Sequence, residues 1–267
     1  MLRQRIITAL LLGLPLLAIL LLAPPQWILA VLVVVLVLGA WEWSSFLQTT
    51  QPIWRISYVL LMACLICLWY FTRQLVSPYT LLFIALLWWI TALGWIVFAP
   101  HRGTHWVTAL AGFFVLLPMW IGLGTLQLHH AHGAQFILCL LLLVISTDIG
   151  AYFVGRAFGK HKLAPQVSPG KTWEGAVGGV GASLLVATLA ARWFEIPLMP
   201  MLALSLMTVI FSIVGDLTES MFKRHAGLKD SSNILPGHGG ILDRIDSITA
   251  ATPVFVYGLI YLNVVIL

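Results

Sequence analysis

Long apolar runs alternate with short polar connections along nearly the whole chain. Nine such runs stand out, at about 6–22, 27–46, 56–72, 79–98, 106–126, 136–153, 174–191, 198–217 and 248–267. Each is close to the roughly 20 helical residues needed to cross a hydrocarbon core. None alternates with period two, which argues against a β-barrel and leaves helices as the way to satisfy backbone groups in lipid. The pattern predicts an all-α polytopic membrane protein of about nine transmembrane helices. The only polar connections of any size are 154–173 and 218–247, so no soluble domain is expected and residues 1–267 read as a single membrane domain. Residues 136–267 carry the candidate chemistry, whereas the helices of residues 1–130 read as scaffold, lipid contact or dimer contact, with nothing to choose among these.

Composition strengthens this reading. The chain is 61% hydrophobic and 9% charged, against about 45–50% and about 25% in ordinary soluble domains. Charge also sets an orientation. With the N-terminus in the cytoplasm, twelve of the fourteen Lys and Arg residues fall in connections on that side: Arg3, Arg5, Arg55, Arg102 and four in each long loop. Only Arg73 and Arg192 fall on the other side, a strong positive-inside bias. Both polar loops are then cytoplasmic. Arg3 and Arg5 would also suit the start of a signal peptide, but no A-x-A-like cleavage site precedes the next span, so an uncleaved helix is expected. The net charge of +5 fits both topology and attraction to anionic lipid or a polyphosphate.

Several features are lures. Cys64 and Cys67 form a C-x-x-C inside an apolar run with no partner ligands nearby in sequence, so they read as packing residues. His129, His130 and His132 read as a solvated turn on the outer side. Gly170-Lys171-Thr172 resembles the end of a phosphate-binding P-loop, but Pro165 stands where its first glycine belongs. Trp27, Trp54, Trp106, Trp173 and Trp193 fall near span ends, as interfacial anchors do. Glu42 reads as an interfacial or structural carboxylate rather than a catalytic one.

The candidate chemistry concentrates in the stretch Ser220–Asp246, SMFKRHAGLKDSSNILPGHGGILDRID, and in two intramembrane acids, Asp148 and Asp216. Ionisable groups inside spans cost about 2.5–3.5 kcal/mol each on insertion scales and so mark function. Both aspartates approach the cytoplasmic end of their spans, the side of the two polar loops. Asp216, Glu219 and Ser220 stand at i, i+3 and i+4, and Asp243, Asp246 and Ser247 repeat that spacing, which places each set on one side of a helix. Such oxygen clusters suit a hard divalent cation, with phosphates and water completing its shell. Helix capping is the competing account of Asp243 and Asp246. Lys223, Arg224, Lys229, Arg244 and, from the other loop, Lys160, Lys162 and Lys171 supply cations. Gly237, Gly239 and Gly240 flank His238 and permit close approach of backbone N–H groups to an anion. The sum describes a metal–polyphosphate site bordering lipid.

This stretch, together with TDIGAYFVGRAFGKHKLAPQVSPGKTWEG (Thr147–Gly175) and the GDLTESMFKR entry, resembles the phosphatidate cytidylyltransferases, or CDP-diacylglycerol synthases. The likeness covers roughly the C-terminal half; the N-terminal half is similar only in being hydrophobic. Ser232, where glycine is common in that family, is a mild departure. The resemblance implies that CTP and phosphatidic acid give CDP-diacylglycerol and pyrophosphate, on the cytoplasmic face of a bacterial inner membrane. It implies Mg²⁺, with a second, monovalent cation left open, held by Asp216, Ser220, Asp243 and Asp246. It implies catalytic roles for Asp216, Asp243, Lys223, Arg224 and His238, and substrate contacts for Lys171, Lys229, Arg244, Gly239, Gly240 and Asp148. The partners implied are the two substrates, membrane lipid and a second copy in a homodimer, with no nucleic acid. Two rivals remain at this point: a CTP-dependent lipid kinase, which would release CDP, and a transporter, for which no internal repeat is found.

Overall fold

The computed structural model describes the backbone of residues 2–49, 51–235 and 237–266, and side chains from residue 11 onward apart from Leu12. The side chains of Arg3 and Arg5, on which part of the orientation count rests, lie outside the described residues. Nine α-helices occur among the described residues: α1 Leu2–Leu22, α2 Pro25–Trp43, α3 Pro52–Thr72, α4 Pro78–Phe98, α5 His105–His129, α6 Gly133–Phe158, α7 Trp173–Trp193, α8 Leu198–His225 and α9 Leu242–Tyr261. Prolines begin α2, α3 and α4, where a missing N–H costs nothing. Hydroxyls of Ser77, Thr104 and Thr172 cap α4, α5 and α7.

Helices α2 to α8 are long and apolar enough to cross a membrane, and the chain is a multi-pass membrane protein. The expectation of nine spans needs qualifying at both ends. In α1 the described apolar stretch is Gly13–Leu22. Helix α9, 20 residues long, has the length of a crossing, about 30 Å, but carries Asp243, Arg244 and Asp246 in its first turns. It tolerates them because it is the central helix of the bundle: residues 249–256 are buried without interruption, packed among α8, α5, α4, α6 and α2. The five end-of-span tryptophans named above are all exposed, at first or last turns, as interfacial anchors should be. Cys64 and Cys67 are exposed on α3, so they face outward from the bundle rather than pack its core.

Two further boundaries differ from expectation. Helix α8 runs eight residues past Leu217, to His225, so the expected loop 218–247 shrinks to 226–241. Its extra turns are polar in sequence yet buried, with Thr218, Glu219 and Lys223 all inside. The other loop holds a two-stranded antiparallel hairpin, β1 (Lys162–Ala164) and β2 (Ser168–Thr172). Its base is tied to α7 by Glu174, which accepts from His161 N at 3.2 Å and meets its Nδ1 at 2.6 Å.

Helices α6 and α7 run against each other almost backbone to backbone. A Cβ on Gly150 would lie 2.7 Å from the Gly178 carbonyl, and one on Gly179 would lie 2.7 Å from the Thr147 carbonyl. This pair carries the hairpin as a stiff unit.

The connections gather at two ends. Gln48 Nε2 donates to His225 O at 2.9 Å, and His225 Nε2 meets Pro100 O at 2.7 Å. Lys171 reaches Asp216. The turns near 48 and 100, the hairpin and the 226–241 loop therefore share one end, that of Arg102 and the long polar loops. At the other end His130, His132, Trp193, Glu195 and Val264 line a cavity of about 850 Å³. Arg192 belongs to that end.

Candidate active site

Helix α8 supplies Asp216, Glu219, Ser220 and Lys223 from its last three turns, and α9 supplies Asp243, Arg244 and Asp246 from its first two. The loop between them fixes their mutual placement. Leu235 O accepts from His238 N at 2.9 Å, and Gly237 sits at φ +78°, a left-handed conformation that favours glycine. Leu235 N then donates to Gly239 O at 2.9 Å. Gly239 has φ +79°, and a Cβ there would lie 2.7 Å from Asp243 Oδ2, so both backbone and carboxylate demand glycine.

Asp243 is held from every side. Its Oδ1 accepts from Lys223 Nζ at 2.5 Å, and its Oδ2 accepts from Ser231 N at 2.9 Å and Gly240 N at 2.8 Å, with Ser231 Oγ also at 2.9 Å. It therefore organises the loop as a cap would, while facing the acid cluster. Lys223 Nζ also stands 3.0 Å from Glu219 Oε1, an ion pair one helical turn apart. Lys171, from β2, meets Asp216 Oδ2 at 2.5 Å, and Ser220 Oγ lies 3.4 Å from Oδ1. Asp246 Oδ1 accepts from Ser247 N at 2.6 Å.

These groups form one electrostatic network. Asp148 feels Asp216, Lys171 and Arg244; Asp246 feels Asp216, Lys223 and Lys171; Glu219 feels Asp246, Lys223 and Asp243. Five carboxylates thus gather around three cations, an excess of acidic oxygens over basic groups. Among the described residues no three His, Cys, Asp or Glu side chains converge as a ready-made metal cage. Magnesium does not ask for one: it is usually held by one or two carboxylates plus substrate phosphates and water. The residues present fit such an ion: Asp216 meets only Lys171 and Ser220, and Asp246 accepts only from Ser247 N, so each keeps lone pairs for a cation.

Beside the network lies a cavity of about 490 Å³ between α6, α7 and the hairpin, lined by Asp148, Tyr152, Arg156, Lys171, Thr172 and Ser247 among others. Arg156 Nη1 donates to Tyr152 Oη at 2.8 Å. Neither residue was singled out from sequence, although both lie in the 147–175 stretch. Tyr152, which lines the cavity, is exposed, as are its apolar neighbours Ile149 and Phe153, so the cavity borders the bundle's apolar flank.

Of the expected site residues, the structure brings together Asp148, Lys171, Asp216, Ser220, Lys223, Gly239, Gly240, Asp243, Arg244 and Asp246. Arg244 donates from Nε and Nη2 to His238 O at 3.1 and 2.7 Å, bracing the turn. The His238 ring leaves Nδ1 without a partner, so it is the main chain of His238 that is engaged here. Arg224 and Lys229 stand apart and exposed. Arg224 donates to Leu228 O at 3.3 Å and borders a separate cavity of about 320 Å³ with His101 and His225.

Glu42 is the residue whose role was least visible. It lies on α2, is 1% exposed, and accepts from Ser231 Oγ, Ser232 Oγ, Ile241 N and Leu242 N. A Cβ on Gly240 would lie 2.6 Å from Glu42 Oε2 and collide with Ser231 Oγ. Gly240→Ala is accordingly expected to lower activity and the melting temperature together, a cost of about 1–3 kcal/mol for an overpacked site; thermal unfolding beside an activity assay in micelles checks this.

Residues 3–262 match the Cytidylyltransferase family. The chain belongs to that family. The chain is 47% identical over 263 residues to a phosphatidate cytidylyltransferase of Pseudomonas aeruginosa, covering 96% of each chain. It is 40% identical over 282 residues to one of Haemophilus influenzae, covering 96% of this chain and 98% of the relative. A Bacillus subtilis phosphatidate cytidylyltransferase is 42% identical over 158 residues, 57% of this chain and 58% of its own. The cytidylyltransferase likeness therefore extends well beyond the C-terminal half that the motifs pointed to, and takes in the helix that carries Glu42.

Proposed function

We propose that this cytidylyltransferase joins CTP to phosphatidic acid, giving CDP-diacylglycerol and pyrophosphate, at the cytoplasmic face of a bacterial inner membrane. The observation that carries the reading is the junction of the acid–cation network with the cavity on the apolar flank, in a chain of this family. Such a junction lets a lipid keep its tails in the bilayer while its phosphate meets a nucleotide from water. The positive-inside bias supports the cytoplasmic orientation.

In this reading a phosphate oxygen of phosphatidic acid attacks the α-phosphorus of CTP, and the bond from that phosphorus to the bridging oxygen of the β-phosphate breaks. A phosphomonoester has a second pKa near 6, so the nucleophile is largely dianionic at neutral pH and needs no general base. The barrier is repulsion between anions. Lys171 and Arg156 line the cavity where the lipid phosphate enters and offset its charge. Lys223 holds Asp243 in place, and Arg244 fixes the 237–240 turn along which the nucleotide phosphates lie. Arg224 and Lys229, exposed at the same end, raise the local concentration of CTP. Magnesium at Asp216 and Asp246 would neutralise triphosphate charge and stabilise the departing pyrophosphate.

The test uses purified protein in detergent micelles with phosphatidic acid, Mg²⁺ and CTP labelled on the α-phosphate. Label is expected in the organic phase as CDP-diacylglycerol, with matching pyrophosphate. Label left in water as CDP while a lipid gains phosphate would overturn the reading in favour of a lipid kinase, and an absence of turnover would also overturn it.

A further inference from the structure

Glu42 is a buried carboxylate, and among the described residues no cation is bonded to it. Each of its oxygens takes one backbone N–H and one hydroxyl: Oε1 accepts from Ile241 N at 3.0 Å and Ser232 Oγ at 2.6 Å, and Oε2 accepts from Leu242 N at 2.6 Å and faces Ser231 Oγ at 3.1 Å. The two amides belong to the start of α9, whose free N–H groups and dipole favour an anion. The helix terminus stands where a lysine or arginine would otherwise be needed.

The same contacts lead directly to Asp243. Ser231 Oγ sits between the two acids, 3.1 Å from Glu42 Oε2 and 2.9 Å from Asp243 Oδ2, so its single proton is shared between them. Ser231 N donates to Asp243, and Gly240 N, next to Ile241, donates to it as well. Glu42 thus touches both ends of the 231–241 segment and the turn of α9 that carries Asp243 and Asp246. It makes no such hydrogen bond to Asp148, Arg156, Lys171 or the hairpin, which border the flank cavity.

We propose that Glu42 is a positioning residue for the nucleotide side of the site, acting through Ser231 and the first turn of α9 on Asp243. The division into a nucleotide side and a lipid side rests on the function proposed above. A carboxylate is required because four donors converge on two oxygens. An amide would turn its NH₂ toward two of those donors. Ser232 adds one of the four bonds and strengthens the same clamp.

The experiment compares full-length wild type with Glu42→Gln in micelles, measuring kcat, the KM of each substrate, and backbone amide exchange without metal or substrate. Glu42→Gln is expected to raise the KM for CTP about tenfold or more, as for a lost charge-assisted hydrogen bond. The KM for phosphatidic acid is expected to stay near the wild-type value. Exchange at Ser231 and Gly240–Leu242 should quicken while that of α6 and α7 does not change, and Glu42→Asp should restore part of both effects. Equal shifts in both KM values, or a lower kcat with both KM values and the exchange unaltered, would overturn the proposal. If Glu42→Gln does not fold, Ser232→Ala must show the same asymmetry at smaller size, and a symmetric effect there overturns it. Failure of wild type to make CDP-diacylglycerol would sink the functional reading alone, because the exchange comparison needs no substrate and still decides whether Glu42 orders the segment.

Discussion

Asp216→Asn is expected to lower turnover by about 10²- to 10³-fold or more, as when one group aimed at reacting charge is removed, while leaving the protein folded. The side chain of Asp216 is 26% exposed and its partners are Lys171 and Ser220. Asparagine has the same shape and keeps an oxygen for one of them. What disappears is a carboxylate at the centre of the network, and with it one of the two acids proposed to hold a divalent cation. Lys171 would also lose its ion partner beside the lipid cavity. Formation of CDP-diacylglycerol in micelles, read beside the melting temperature, checks this. Retained wild-type activity would remove Asp216 from the metal centre.

Lys223→Met is expected to be costly to stability as well as activity. Lys223 is 8% exposed and stands between Glu219, which is 2% exposed, and Asp243. Removing one partner of a buried ion pair costs about 3–5 kcal/mol, because an uncompensated charge stays behind. The two acids do not suffer alike. Asp243 keeps its bonds from Ser231 and Gly240, whereas Glu219 has no other partner. Adding Glu219→Gln to Lys223→Met should therefore recover most of the lost stability without recovering activity. Denaturation of wild type, both single variants and the double variant measures the coupling. A Lys223→Met protein as stable as wild type would show that the lysine is not what makes Glu219 tolerable.

The helices were legible because apolar runs report lipid-facing or buried length directly. The run ending at Leu217 hid the rest of α8 for the same reason. Hydropathy records polarity, and the following turns are polar residues that face one another inside the bundle. The i, i+3, i+4 spacing did bring Asp216 and Ser220 together, but Glu219 turned inward to Lys223. The hairpin at 162–172 is too short, and too interrupted by Pro165, Pro169 and Gly170, to announce itself as strands. Asp148, Asp216, Asp243 and Asp246 could be found because charge is rare in such a chain. The hold of Glu42 on the loop could not, since its donors lie 189–200 residues away and no local pattern links them. Arg224 shows the converse: adjacency to Lys223 suggested a shared task, yet one helical step of about 100° directs it to another cavity.

The clamp on Glu42 also bears on how the protein is made. Chains emerge N-terminus first and tend to fold in that order, so α2 is in place long before the ribosome reaches Ser231. The segment from Ser231 to Leu242 thus finds its acceptor already embedded in the bilayer. A nascent chain stalled before α9 would hold Glu42 with no helix start to receive it.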